Sequence, residues 1–132
     1  MAVEKVVVHY RDGRILKGFV EGFAGTEASI RVESWQDAAA RTDVDLSALK
    51  ALFFVKDFIG DSTYDEVKAF RTPPAGAERR MEVTLFDGEL LIGTVTGFHP
   101  ERDGFFLEPA DPDCNNTRCF IVAAAVHRAS VV

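Results

Sequence analysis

Apolar and polar positions alternate from the first residues onward. Val6, Val8 and Tyr10 alternate with Val7 and His9, the period of two that marks a strand with one buried face. Asp12-Gly13 then reads as a hairpin turn, because glycine accepts positive φ without steric cost. A long second strand follows, Ile15 to Phe23, carrying Gly18 and Gly22. Glycine weakens a strand interior, so its presence there predicts a sharp bend or a close backbone approach. Ala28 to Glu33 reads as a third strand. Val44-Asp45-Leu46 leads through one tight turn, Ser47-Ala48-Leu49, for which a 3₁₀ turn is one form, into a closing strand, Lys50 to Val55.

The pattern then recurs. Adding 75 to each number carries Val6–Phe23 onto Met81–Phe98 and matches Val8 with Val83, Asp12 with Asp87, Gly13 with Gly88 and Leu16 with Leu91. Gly18 with Gly93, Val20 with Val95, Gly22 with Gly97 and Phe23 with Phe98 complete the series. Gly104 to Pro109 follows as the third strand. Phe120 to Ala123 leads through Ala124-Ala125-Val126 into His127 to Val132. A fixed offset of this kind is the mark of one supersecondary unit used twice. The expected fold is all-β, with two tandem five-stranded small barrels related by internal duplication. The first spans residues 1–56 and the second 80–132, with a connector over 57–79.

Within the connector, Thr63 and Glu66 have capping-box spacing, and Tyr64, Val67 and Phe70 fall at i, i+3 and i+6. The stretch 61–70 therefore reads equally as a short helix or an irregular segment, since helices this short are marginal alone. Pro73-Pro74-Ala75-Gly76 breaks any element there, and the aromatic residues of the connector are expected to dock on a barrel.

Composition narrows the function. With 47% apolar residues and 11 Phe, the chain of 132 residues can bury a core without metals or disulfides. The net charge of -6 disfavours RNA and DNA, whose binding draws on Lys and Arg displacing phosphate counterions. No apolar run approaches the 18 or so residues of a membrane span. Met1-Ala2-Val3-Glu4-Lys5 enters a strand-like run at once, with no long apolar leader region or small-residue cleavage site, so a cytoplasmic protein is expected. Cys114 and Cys119 are two thiols in a C-x4-C loop, too few to complete a zinc site.

Tyr10-Arg11-Asp12-Gly13-Arg14-Ile15-Leu16-Lys17-Gly18-Phe19-Val20-Glu21-Gly22-Phe23 resembles the first motif of the Sm and Sm-like (Hfq-type) proteins, and Leu85 to Phe98 resembles it again. The resemblance implies an Sm-like, SH3-like small barrel in each half. It also implies an RNA pocket made by an Asp just after the Phe, an Asn four residues later, and an Arg-Gly pair. Those positions hold Ala24 and His99, then Ala28 and Asp103, and no Arg-Gly stands near either tight turn. The chain also resembles a family of small bacterial domains without established activity, through Leu49-Lys50-Ala51-Leu52-Phe53-Phe54-Val55-Lys56-Asp57-Phe58 and Gly104 to Pro112.

Other chemistry has little support. Asp111-Pro112-Asp113-Cys114-Asn115-Asn116 begins like a calcium loop, but Asn116 and Val122 stand where an EF-hand needs Gly and Glu, so a turn held by Asx hydrogen bonds is preferred. His9, placed on the outward face of the first strand, His99 and His127 are scattered, and no nucleophile motif is present. Arg79-Arg80 before a barrel invites comparison with PilZ domains, whose second motif is missing. No cofactor, metal or catalytic residue is expected. The expectation is a non-enzymatic interaction module binding another protein, with a small-ligand or nucleic-acid binder on the Sm-like scaffold as the alternative. Its candidate surface is Asp111, Asn115, Asn116, Arg118, Phe58, Tyr64 and Phe70, and homo-oligomers through barrel edge strands are a further expected contact.

Overall fold

The computed structural model describes residues 3–37, 39–59, 66–70, 79–95 and 103–132. These residues are all-β and form a single antiparallel sheet of ten strands. The strands are β1 (Val3–Tyr10), β2 (Ile15–Glu21), β3 (Ser29–Ser34), β4 (Arg41–Asp45) and β5 (Leu49–Val55). The second half supplies β6 (Arg79–Leu85), β7 (Leu90–Val95), β8 (Gly104–Pro109), β9 (Asn116–Val122) and β10 (Val126–Val131). Single 3₁₀ turns, Leu46–Ala48 and Ala123–Ala125, sit where the tight turns were expected, displaced by one residue. Of the stretch 61–70, residues 66–70 carry no helix, and 61–65 lie outside the described residues. Among the described residues no helix is long and apolar enough to cross a membrane.

Strand order across the sheet is β10-β6-β7-β8-β9-β5-β1-β2-β3-β4. Val6 lies opposite Gly18 and Val8 opposite Leu16, while Met81 lies opposite Gly93 and Val83 opposite Leu91. Gly18 faces Ser34 just as Gly93 faces Pro109. Both closing strands slip by one residue against the first strand of their half, at Lys50 in β5 and at His127 in β10. The two hairpin turns agree too. Gly13 and Gly88 take φ of 96° and 90°, and the Asp12 and Asp87 carboxylates accept the N–H of Arg14 and Glu89 at 3.0 and 3.1 Å.

The glycines within β2 and β7 answer to close approach. A Cβ on Gly18 would stand 2.2 Å from the Glu33 carbonyl oxygen, and one on Gly93 would stand 2.1 Å from that of Glu108. Only a residue without a side chain lets the neighbouring strand come so near.

Two apolar clusters form, and β5 divides them. Leu49, Leu52 and Phe54 pack with Val6, Val8, Val20, Phe23, Val32, Val44 and Leu46, while Ala51, Phe53 and Val55 pack with Met81, Val83, Leu85, Leu91, Val95, Phe105 and Leu107. The exchange is mutual, since Phe120 and Val122 of β9 complete the first cluster. Each half thus closes its core with side chains of the other, through the antiparallel β5–β9 pair that sets Leu52 opposite Phe120 and Phe53 opposite Cys119.

Candidate functional site

Most side chains singled out by sequence serve to tie the chain to itself. Asp111 is fully buried, and its carboxylate accepts the N–H of Asp113 at 2.9 Å and of Val67 at 2.9 Å. That is an Asx turn which also anchors the connector. Asn115 grips Asp57 twice, its Oδ1 accepting the Asp57 N–H at 3.1 Å and its Nδ2 donating to the Asp57 carbonyl at 2.8 Å. Asn116 lies opposite Val55 in the sheet, and its carbonyl accepts the Cys114 thiol at 3.4 Å. Arg118 lies over the rings of Phe54 and Phe106, at 4.4 and 4.5 Å, and donates to both Glu4 carboxylate oxygens. Phe70 is half-buried beneath the Arg80 guanidinium at 4.1 Å. Tyr64 lies outside the described residues.

Phe58 leads to the surface that sequence reasoning missed. It is buried edge-on to Phe19 and stacks flat against Trp35 at 4.8 Å. Trp35, the sole tryptophan, follows β3, and its N–H donates to the Lys17 carbonyl at 3.0 Å. Lys17 in turn donates from Nζ to the Phe58 carbonyl at 3.0 Å and stands 5.7 Å over the indole. Beside this stack Ile59 is 78% exposed, Ile15 57% and Trp35 40%. Ile15, Leu16, Lys17, Ser34, Trp35 and Gln36 line a hollow of about 280 Å³. The Asn115–Asp57 clamp, with Lys56 Nζ on the Pro112 carbonyl at 2.8 Å, fixes the segment that carries Phe58 and Ile59. The result is an exposed aromatic and aliphatic patch on a hydrogen-bonded base. A lone tryptophan in a polar loop was the available signal.

A second cluster joins the hairpin tips. Lys50, at the β5 slip, is buried and bonds Asp87 at 2.7 Å and also Glu89. Burial works against its charge, but the two carboxylates outweigh burial and raise its pKa, and the same bond lowers that of Asp87. His9 alternates with buried Val6 and Val8, on the outward face of its strand, and is half-buried there, edge-on to Phe53 at 4.6 Å. Phe86 and Asp87, at the hairpin tip of the second half, line the same hollow as His9, which a pattern within one strand cannot reveal. Burial pushes the His9 pKa down, aided by Lys50 and opposed by Glu89 and Asp87.

A third feature is a cavity of about 330 Å³ between the two halves, with Leu46, Phe120 and Val122 in its lining and Glu27, Asp45, Asp103 and Arg11 around it. The Asp45 carboxyl is held low by the Ser47 hydroxyl and N–H. For Glu27, N–H groups from Ala24 to Glu27 outweigh burial and do the same. Both thiols are free and buried, and burial pushes Cys119 up to about 12, leaving it protonated and unreactive at neutral pH.

The model of a family of unknown function, DUF6982, matches residues 2–132. No curated protein and no solved structure matches the chain.

Proposed function

We propose that this chain, which belongs to the DUF6982 family, is a non-catalytic module that binds another protein through the Trp35–Ile15–Ile59 patch. The observation that carries the reading is the exposed Trp35 stacked on buried Phe58, with Ile59, the next residue in the chain after Phe58, 78% exposed. Aromatic side chains on rigid supports, ringed by aliphatic ones, are the anchors that dominate protein interfaces. Leaving such groups in water has a free-energy cost that a partner relieves. In the same reading the scaffold is a duplicated Sm-like unit. Supporting this, the sequence matches itself at an offset of 75, and the strand pairings Val6–Gly18 and Met81–Gly93 recur at the same offset.

The test is affinity capture from the source cells with the full chain, beside Ile59→Ser and Trp35→Ala forms checked for unchanged melting temperature. A discrete protein retained by the parent and lost by Ile59→Ser supports the proposal. Equal retention by all three sinks it. Labelled U-rich and A-rich oligoribonucleotides at about 0.15 M salt, where exposed charges are screened within about 8 Å, probe the nucleic-acid alternative. Glu27, Asp45 and Asp103 around the inter-half cavity oppose phosphate there, so no saturable binding is expected.

A further inference from the structure

The β5–β9 pair is a worked example of how the closing strand of one half accepts an antiparallel neighbour. On it, Leu52 lies opposite Phe120 and Phe54 opposite Arg118, and the Arg118 side chain crosses Phe54 to reach Glu4 on β1. Strand β10 holds the same place in the second half. Val131 lies opposite Met81 as Phe54 lies opposite Val6, and Ala129 lies opposite Val83 as Leu52 lies opposite Val8. Yet among the described residues β10 is an edge of the sheet. Ala129 and Val131 stand in the positions that in β5 are core, and both are exposed, Val131 by 68%. Where β1 has Glu4, two residues before Val6, β6 has Arg79, two before Met81, and it too is exposed.

We propose that the β10 edge receives an extended segment of another protein, antiparallel to β10, with an acidic side chain opposite Val131 and an apolar one opposite Ala129. The acidic group crosses Val131 to Arg79, the pairing of the internal junction with its signs reversed. The apolar group covers Ala129 as Phe120 covers Leu52. Exposed Arg128 adds positive charge along the same strand. A second copy is the wrong occupant. Of its two edges, β4 would set Arg41 where Arg118 stands, facing Arg79, and Asp43 where Phe120 stands, and β10 has no acidic residue to meet Arg79. Like charges brought together across strands repel, and the carboxylate covers nothing apolar. Edge recognition of this kind draws affinity from main-chain hydrogen bonds and specificity from alternate side chains. The inference rests on the equivalence of the two halves and not on the Trp35 patch.

The probe is a fluorescein-labelled peptide of residues 116–122 carrying Arg118→Glu and Cys119→Ser, compared with one carrying Cys119→Ser alone. Each is titrated by anisotropy against the full chain, its Arg79→Glu form and its Ile59→Ser form. The acidic peptide is expected to bind the parent about five- to tenfold more tightly than the basic one, the swing expected of an opposite-charge pair becoming a like-charge pair. Arg79→Glu inverts the preference, and Ile59→Ser leaves it unchanged. Equal affinity for both peptides, no saturable binding of either, or a preference that survives Arg79→Glu overturns the proposal. So does concentration-dependent dimerisation of the parent that competes with the peptide, since the edge would then belong to a second copy. Loss of binding in Ile59→Ser would show that the peptides use the Trp35 patch and that the edge is not their site.

Discussion

Strands β5 and β10 pair with the first strand of their half in the same direction, with the same one-residue slip, after the same 3₁₀ turn. All seven residues of β5 are buried, whereas five of the six in β10 are exposed. The difference lies in the second neighbour. β5 has β9 on its far side, and β10 has no second neighbour among the described residues. The side chains follow: Leu52, Phe53 and Phe54 in β5 stand where β10 has Ala129, Ser130 and Val131. A strand flanked on both sides and covered on both faces reads as a continuous apolar run, and an edge strand reads as polar and charged. Position within a half sets the backbone of each strand, and position in the whole sheet sets its side chains.

That comparison is open to attack. Phe54→Ala is expected to lower stability by about 3–5 kcal/mol, because a fully enclosed ring leaves a cavity shared by both halves, while Val131→Ala stays within about 0.5 kcal/mol. Urea melts of the two variants decide it, and equal losses would mean the junction is not where the core is closed. Gly18→Val and Gly93→Val should each cost about 1–3 kcal/mol, since the added Cβ meets a backbone carbonyl that cannot swing aside. A difference between the two would show that the strand crossings are not equally tight.

Smaller effects sharpen the same contrast. Lys50→Ala should cost about 1–2 kcal/mol by removing charged hydrogen bonds from partly solvated Asp87 and Glu89, and His127→Ala at the matching slip should cost almost nothing. Smallest is a pH effect at His9. Its folded pKa lies below 6.5, so between those values the unfolded chain binds the proton and the folded chain does not. Stability therefore falls as pH drops below about 6.5, until the folded pKa is passed. A His9→Gln chain should lack this part of the slope in melts taken across that range, and an unchanged slope would remove His9 as its source.

Much of the local structure was legible in the residues. Alternation gave the strands, Asp12-Gly13 and Asp87-Gly88 the hairpins, and the offset of 75 pointed to equivalent glycines whose neighbours come within van der Waals reach. The candidate surface was legible only in part. Phe58 and Asn115 were named, and they proved to be the support of the patch, while Trp35 and Ile59 went unnoticed because exposure is not encoded in a window of sequence. The Asx turn expected at Asp111–Asn116 is present, since the carboxylate has the Asp113 N–H two residues on to accept.

What the sequence determined by itself was every interaction closing over a few residues: strand period, turn type, and glycine where no side chain fits. The tertiary structure alone decided that the closing strand of the first half lies between two cores. It also set His9 against Phe53 and left β4 and β10 as edges. Pairing β5 with β9 joins residues some 65 positions apart, as Phe53 with Cys119. Its energy comes from apolar surface that neither segment hides alone, so no local pattern announces it.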